Sequence, residues 1–228
     1  MDRSAWVKEQ RRLAEERYDT RWAPLYGEKW GLYSNATHQQ FLQKLLRLLP
    51  RHSTILDAAC GAGRYLPTLL EQGHTAVGID QSQGMLARAK ARFPTVQVEH
   101  LGLQEMAYHE AFDGVICMDA MEHVFPEDWP LVLGNFYRAL KPQGYLYFTV
   151  EIADESEVKQ AFARGQRLGL PIVYGEGADE DVYHYYPSMQ QVREWMQQAG
   201  LDLREEGEGD GYHHFVMRKA AQAPGASG

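Results

Sequence analysis

Short apolar runs alternate with helically spaced segments through the middle of the chain. Five runs are compact enough to form buried strands, at residues 55–59, 75–79, 96–101, 112–118 and 145–151. The segments between them predict helices over residues 64–72, 82–93 and 127–140. Because strands that alternate with helices are joined by parallel crossovers, this stretch predicts an α/β fold.

The two flanks of this stretch are less regular. Residues 37–49 have the pattern of a capped amphipathic helix that Pro50 ends. His213 and His214 alternate faces on the last predicted strand, so at most one is expected to point inward. The remaining predictions are helices at 154–168 and 189–199, strands at 201–205 and 212–217, a tyrosine- and acid-rich loop at 171–186, an exposed charged turn at 204–210 and a disordered tail at 220–228.

Residues 54–80 have the layout of a nucleotide-binding half of a doubly wound sheet. The first strand runs into a small-residue turn, Cys60-Gly61-Ala62-Gly63, and a helix follows. Gly61 and Gly63 permit positive φ and let a ligand approach the backbone. Asp80 ends the next strand, about 20 residues beyond the turn, where a carboxylate can accept both hydroxyls of a ribose. The pattern therefore predicts an adenosine-containing cofactor.

Two residues distinguish among such cofactors. Leu66 stands where a dinucleotide fingerprint has its third glycine, so a pyrophosphate is poorly accommodated. Asp57, inside the strand before the turn, would repel phosphates but could hold the ammonium of an amino-acid moiety, directly or through water. Both residues argue against a nicotinamide-dependent oxidoreductase, which is the alternative enzyme class.

The D-x-x-C-G-x-G pattern of residues 57–63, with Asp80 downstream, resembles the class I S-adenosylmethionine-dependent methyltransferases over about residues 18–219. The resemblance implies an α/β, doubly wound, seven-stranded and mostly parallel sheet (a Rossmann-like methyltransferase fold) with helices on both faces. It also implies a single domain over residues 1–219, with an N-terminal lid at 1–35 and an acceptor-side insert at 152–187. In such proteins the last two strands form an antiparallel hairpin at the sheet edge.

The same resemblance implies which residues bind S-adenosylmethionine. In the family a segment like the one from Tyr18 to Tyr26 folds over the cofactor, excluding water and offering aromatic faces to a sulfonium, although these aromatics could instead pack on the sheet. Gly102 stands where the family has an adenine-binding acid. We therefore expect the Gln104 amide oxygen and the Leu103 N–H to bind adenine instead. The predicted cofactor site comprises Tyr18, Tyr26, Asp57, Ala58, Cys60, Gly61, Gly63, Asp80, Gln81, Met85, Leu103, Gln104 and Met118.

The charge and the cysteine content indicate which class of acceptor molecule and which cellular compartment to expect. The 228 residues include 23 Lys and Arg against 31 Asp and Glu, a net charge of −8 without a basic stripe, so nucleic acid is not expected as a partner. No apolar run is long enough to span a bilayer, and we expect no leader. Cys60 and Cys117 fall at buried strand ends and are expected to be reduced thiols in a cytoplasmic protein. We therefore expect a small-molecule acceptor; the oligomeric state is not predicted.

Asp119, Glu122 and His123 follow the fourth strand, at the sheet edge where the cofactor is expected. At i, i+3 and i+4 on one helical turn, they would suit a divalent metal such as Mg²⁺. The segment CMDAMEHV resembles C-M-E-x-L-E-H-V of the ubiquinone-biosynthesis O-methyltransferases and the metal-binding acid-x-x-Glu-His of the small-RNA 2′-O-methyltransferases. The alternatives are His123 acting as a general base without metal and Glu122 making a structural bond to backbone.

Candidates for the acceptor pocket lie beyond the fifth strand. Glu151 ends that strand, and the run Tyr183-His184-Tyr185-Tyr186 lies in the predicted insert, where its rings suit a flat or cationic small molecule or pack the insert onto the helices. The predicted catalytic residues are His123, Glu151 and His184. The predicted reaction is methyl transfer from S-adenosylmethionine to oxygen or nitrogen of a small metabolite. A non-catalytic relative that keeps the cofactor pocket is a second alternative.

Overall fold

The computed structural model describes residues 2–29, 35–178 and 182–220 of the chain. The strands are β1 (Thr54–Ala58), β2 (Thr75–Asp80), β3 (Gln97–His100), β4 (Phe112–Cys117), β5 (Leu140–Glu151), β6 (Glu176–Ala178), β7 (Tyr183–Tyr185), β8 (Leu201–Gly209) and β9 (Tyr212–Lys219). The helices are α1 (Arg3–Arg17), α2 (Ala23–Lys29), α3 (Ala36–Leu48), α4 (Leu66–Glu71), α5 (Gln83–Arg92), α6 (Trp129–Ala139), α7 (Glu155–Arg167) and α8 (Met189–Gln198). A π-helical stretch, Tyr18–Trp22, joins α1 to α2.

Seven of these strands form one mixed sheet in the order β3-β2-β1-β4-β5-β9-β8. The strands from β3 to β5 are parallel, whereas β9 runs antiparallel to both β5 and β8. The chain order reverses at β1 and β4, which leaves a crevice at the carboxyl ends of these strands. The predicted seven-stranded, mostly parallel sheet with an antiparallel edge hairpin is confirmed.

Alternating side chains divide the core between the two faces of the sheet. On β4, Val115 and Cys117 belong to one buried cluster, which also contains Phe136 of α6 and Val192 of α8. Their neighbour Ile116 belongs to a second cluster, built with residues of α3 and α4. Because each face buries its own set of apolar side chains, helices cover both faces, as predicted.

Three predicted elements have different limits in the structure. Helix α4 begins at Leu66 and not at residue 64, with a proline in its first turn. The predicted loop at 171–186 contains a short antiparallel hairpin, β6–β7. The predicted turn at 204–210 is mostly strand, because β8 continues to Gly209 in register with β9. As the outer edge of the sheet, β8 keeps most of its acidic side chains exposed, which explains why its sequence is typical of a turn.

The paired histidines of β9 are both buried, so the prediction that at most one points inward is wrong. His213 is 5% exposed and His214 is fully buried. His213 lies between two glutamates of β8, 3.0 Å from Glu208 Oε1 and 3.2 Å from Glu206 Oε2. His214 Nδ1 lies 2.9 Å from the Tyr147 hydroxyl on the other face. Burial lowers the pKa of His214 to about 4.

The N-terminal helix packs on the body of the domain through Trp6. Its indole meets Phe125 and Tyr183 edge-on, with ring centroids 5.9 and 6.0 Å away. Trp6 is 3% exposed, so it anchors α1 in the core. Nearly all of the tail predicted to be disordered, at 220–228, lies outside the described residues. Among the helices of the described ranges, none is both long and apolar enough to cross a bilayer.

Candidate active site

The turn after β1 bends through three residues with left-handed backbone. Ala59, Gly61 and Gly63 have φ angles of 61°, 53° and 78°. A β-carbon on Gly63 would lie 2.8 Å from Leu66 Cδ1, so glycine is needed for the close packing of α4. A β-carbon on Gly61 would meet Met85 Cε at 3.8 Å, an ordinary contact. Gly61 therefore leaves open backbone at the surface where a ligand can approach.

Asp80, at the end of β2, holds this turn in place. Its Oδ2 accepts a hydrogen bond from the Gly61 N–H at 2.8 Å, and its Oδ1 accepts one from the Ser82 N–H, also at 2.8 Å. Burial raises the pKa of Asp80, although both backbone N–H groups act in the opposite direction. The carboxylate thus joins the turn after β1 to the start of α5.

The π-helical stretch covers the same region from above. Asp19 accepts hydrogen bonds from the Ser82 hydroxyl at 2.5 Å and the Gly84 N–H at 2.8 Å, which fixes the stretch to the first turn of α5. The neighbouring Tyr18 hydroxyl lies 3.2 Å from His123 Nε2, beyond the end of β4. The stretch therefore spans the carboxyl edge of the sheet from the β2 side to the β4 side.

A cavity of about 450 Å³ lies beneath this stretch. Its volume falls within the range of small-molecule sites in proteins. Most of the residues predicted to bind a cofactor line it, namely Tyr18, Tyr26, Cys60, Gly61, Asp80, Gln81, Met85, Leu103, Gln104 and Met118. These predicted cofactor residues, which come from positions 18–104 and from the end of β4, therefore line the same cavity.

Three of the predicted cofactor residues do not line the cavity. Ala58 is buried inside β1, and Gly63 faces α4. Asp57 is 2% exposed, and its Oδ2 has no hydrogen-bond partner among the described residues. Burial, together with the nearby charge of Asp80, raises the pKa of Asp57 to about 8. Asp57 is thus a carboxyl group beneath the turn that holds its proton at neutral pH.

The three predicted metal ligands border the cavity without converging. Asp119 has a φ of 55° and precedes the single helical turn Met121–His123. The spacing i, i+3, i+4 brings ligands together only on a continuous helix, and that condition fails here. Across the described ranges, no group of three or more His, Cys, Asp and Glu side chains is placed to hold a metal ion. The prediction of a site formed by Asp119, Glu122 and His123 is therefore wrong.

Each of these side chains has other neighbours. The Asp119 carboxylate accepts from Arg64 Nη1 at 2.9 Å and from the Tyr65 hydroxyl at 3.0 Å. His123 Nδ1 lies 3.0 Å from the Tyr183 carbonyl oxygen, which belongs to the hairpin β6–β7. Glu122 is 3% exposed, and burial raises its pKa well above the usual range. The loop after β4 is thus held by several unrelated contacts.

The three predicted catalytic side chains do come together at the β5 end of the cavity. The rings of His123 and His184 lie 5.0 Å apart, and His184 Nδ1 is 3.8 Å from Glu151 Oε2. All three residues line the cavity. Burial lowers the pKa of His123 and raises the pKa of Glu151. At neutral pH His123 is therefore a neutral imidazole that can accept a proton.

The site can now be compared with known proteins. Residues 55–144 match the model of a methyltransferase domain. The crystal structure of Burkholderia thailandensis 1,6-didemethyltoxoflavin-N1-methyltransferase, with bound 1,6-didemethyltoxoflavin and S-adenosylhomocysteine, has the same fold. Its TM-score is 0.69 at 17% identity, and the match covers 93% of this chain and 91% of that chain. The chain therefore contains a methyltransferase domain, and its fold is that of solved S-adenosylmethionine-dependent methyltransferases.

Two curated relatives of this chain are named as methyltransferases of different acceptor atoms. The ubiquinone biosynthesis O-methyltransferase of Hydrogenovibrio crunogenus is 29% identical, over 73% of this chain and 69% of the relative. The glycine/sarcosine N-methyltransferase of Halorhodospira halochloris is 35% identical, over 51% of this chain and 46% of the relative. The chain thus spans about half to about two thirds of the length of these relatives.

The cavity also has lining residues that the sequence did not indicate. Ala59, Tyr65 and Tyr212 line the cavity. Behind Asp119, the fully buried His38 of α3 places its Nε2 2.8 Å from Asp119 Oδ1. Burial alone would raise the pKa of Asp119, but these polar neighbours lower it. The sequence does contain one indication of a role for His38: it lies on the apolar side of an amphipathic helix, where a polar ring requires a hydrogen-bond partner.

Proposed function

We propose that this methyltransferase moves the methyl group of S-adenosylmethionine to an oxygen or nitrogen atom of a small-molecule acceptor bound in the cavity. One observation carries the proposal: a single cavity extends from Asp80 and Gly61 to the cluster of His123, Glu151 and His184. The strands that end along it, from β2 through β1 and β4 to β5, span about 14 Å at the usual strand spacing. That length accommodates a nucleoside at one end and an acceptor at the other.

The residues at the β2 end fit the adenosine half of the cofactor. Asp80 presents a half-buried carboxylate beside open glycine backbone, which suits the two ribose hydroxyls. Met85 and Leu103 supply apolar surface for adenine, while Gln81 and Gln104 supply polar groups at its edge. We therefore assign this end to adenosine.

The residues around the turn fit the methionine half. Asp57 has a buried oxygen that lacks a hydrogen-bond partner among the described residues, and an ammonium group above the turn would satisfy it, directly or through water. Arg64 supplies positive charge for a carboxylate, from a position where it already contacts Asp119 and the Tyr26 hydroxyl. Cys60 and Met118 border the space between these groups, and Ala58 and Gly63 shape the turn.

When bound, S-adenosylmethionine supplies a methyl group on positively charged sulfur, already activated for in-line displacement. The protein then has to align the acceptor, exclude water and accept a proton where the acceptor carries one. The covering stretch around Tyr18 excludes water from the cavity. His123 is held between Tyr18 and the Tyr183 carbonyl, and its lowered pKa favours the neutral ring, whose free lone pair can take a proton.

The domain roles follow from the same arrangement. The segment 2–29 acts as the lid, because it bridges the cavity, and the insert around β6 and β7 forms the acceptor side through His184. A net charge of −8 supports a small-molecule acceptor over nucleic acid. Two free, buried cysteines support a cytoplasmic location. The alternative of a nicotinamide-dependent oxidoreductase is set aside, since the domain match is to methyltransferases.

The test is transfer of label from S-adenosyl-[methyl-¹⁴C]methionine. The purified protein is incubated with the labelled cofactor and fractionated small molecules from the producing cell. Label should appear in a small-molecule fraction, together with S-adenosylhomocysteine, and His123→Ala should slow its appearance. Binding of the cofactor without transfer to any fraction would favour a non-catalytic relative that keeps the pocket.

A further inference from the structure

The acceptor end of the cavity contains two carboxyl groups with unsatisfied oxygen atoms. Glu122 Oε2 and Glu151 Oε2 are buried, and neither has a hydrogen-bond partner among the described residues. Both side chains line the cavity. Glu122 is 3% exposed, and Glu151 ends β5, next to the strand that leads into Glu122. The Tyr186 hydroxyl donates to the Glu151 carboxyl group, and a backbone N–H donates to Glu122. The Oε2 atom of each group is still buried without a donor, which is unfavourable, so each of these two atoms requires a partner.

The surroundings do not supply a cation to these carboxylates. Among the described residues that line the cavity, Arg64 is the only Lys or Arg, and it donates hydrogen bonds to Asp119 and to the Tyr26 hydroxyl. His184 Nδ1 is 3.8 Å from Glu151 Oε2, beyond hydrogen-bond distance, and 2.9 Å from the Tyr186 hydroxyl. The acceptor end therefore has more carboxyl groups than cations, and burial raises the pKa of Glu122 and Glu151 while no cationic side chain of the described residues lies between them.

An acceptor can satisfy both oxygens only if it supplies several donors. A protonated amine offers up to three N–H groups and a positive charge. A phenol or alcohol offers one O–H, and its ionised form would place an anion beside Asp119, Glu122 and Glu151. A carboxylate would be repelled in the same way. Charge and donor count together select a basic nitrogen.

On the basis of the proposed function, we infer that the acceptor is a small amine whose ammonium group is held between Glu122 and Glu151, and that this nitrogen receives the methyl group. The bound ammonium favours the ionised form of both carboxyl groups and then gives one proton to one of them. The freed lone pair forms the new C–N bond while the C–S bond breaks, and that electron pair stays on sulfur. The product is a methylated ammonium, and sulfur ends as a neutral thioether. Burial raises the pKa of both glutamates, which makes them better bases for this proton.

The test compares three probes of the same size: benzylammonium, benzyl alcohol and benzoate. Each is titrated into the protein saturated with S-adenosylhomocysteine, and binding is followed by calorimetry. We expect benzylammonium to bind at least about tenfold more tightly than the other two. Glu122→Gln and Glu151→Gln should each reduce that preference about tenfold, because a neutral amide keeps the shape but not the charge.

Three results would overturn the inference. These are equal or tighter binding of benzyl alcohol or benzoate, an amine preference that survives in Glu122→Gln/Glu151→Gln, and binding of none of the probes at millimolar concentration. Affinity for S-adenosylhomocysteine serves as the folding control for each variant. If Glu122→Gln does not fold, the less buried Glu151→Gln carries the comparison alone. Failure of S-adenosylhomocysteine to bind the wild type would instead contradict the proposed function.

Discussion

Arg3, at the start of α1, makes a two-point ion pair with Glu176 of β6. Its Nη1 and Nη2 atoms lie 2.7 and 2.6 Å from the two oxygens of the Glu176 carboxylate. Glu176 is fully buried and also accepts a hydrogen bond from the Tyr183 hydroxyl at 2.6 Å. Since α1 leads into the stretch over the cavity and Tyr183 lies next to His184, this pair joins the lid to the acceptor side.

Replacing Arg3 by alanine should destabilise the folded chain by about 3 kcal/mol, because Glu176 would remain buried without its cation. Urea unfolding measures the loss, and hydrogen exchange should show faster opening of β6 and β7 than of β4. Arg12→Ala is the matched control on the same helix, since its ion pairs with Glu9 and Glu16 are exposed and should contribute nothing measurable. Equal effects of the two substitutions would contradict the proposed link.

Ala59→Gly should stabilise the protein by about 1 kcal/mol. Ala59 has a φ of 61°, a conformation that is unfavourable for residues with a β-carbon and free of that strain for glycine. For a chain of this length the gain corresponds to a rise in Tm of about 2–4 °C, measurable by calorimetry. The control is the adjacent Ala58→Gly, inside β1 and fully buried, which should destabilise instead. A lower Tm for Ala59→Gly would contradict this expectation, because it would show that packing of the Ala59 methyl group contributes more to stability than relief of backbone strain.

Asp57 should make the protein less stable as pH rises. Burial raises its pKa from 3.8 to about 8 in the folded state, so the folded chain holds a proton that the unfolded chain releases. Its contribution to stability is present below pH 3.8 and is lost progressively as pH rises to about 8. Asp57→Asn should therefore be more stable than the wild type at neutral pH, with the difference shrinking in acid. The check is chemical denaturation across this pH range, and a less stable variant at neutral pH would contradict the account.

The same carboxyl group should couple cofactor binding to proton release. A bound ammonium group above the turn favours the ionised form of Asp57, so binding of S-adenosylhomocysteine at neutral pH should expel its proton. Affinity should then rise as pH approaches 8. Calorimetry in two buffers of different ionisation enthalpy measures the number of protons released on binding. Asp57→Asn should release fewer protons than the wild type, because the contribution of Asp57 is gone. Identical proton release by both proteins would place the ammonium elsewhere.

The parts of the fold with a strong periodic signal could be predicted from sequence. The five parallel strands and their helices follow from apolar runs bounded by Gly, Pro and N-cap residues such as Ser82. The edge strand β8 could not, because one face of it is solvated and its run of acids resembles a turn. The hairpin β6–β7 was missed for a related reason: its strands have three residues each and depend on tertiary contacts such as those of Glu176.

The candidate site likewise contains residues whose positions could be predicted from sequence and residues whose positions could not. Residues fixed by the local turn, such as Gly61 and Asp80, could be placed beside each other from sequence because the βαβ unit sets their positions. The grouping of Asp119, Glu122 and His123 failed because a spacing rule assumes a regular helix, and Asp119 has left-handed backbone. His38 was missed because its position behind Asp119 depends on how α3 packs on β5 and β9, which sequence spacing does not determine.

The central claim is that Asp80 and the glycine turn bind the nucleoside of S-adenosylmethionine. Isothermal titration of S-adenosylhomocysteine into wild type and Asp80→Asn tests it most directly, with the urea midpoint of each protein as the folding control. We predict binding to the wild type and a loss of affinity of about tenfold or more in the variant, because an amide cannot accept from both ribose hydroxyls. No binding to the wild type at millimolar concentration, or equal affinity for the two proteins, would contradict it.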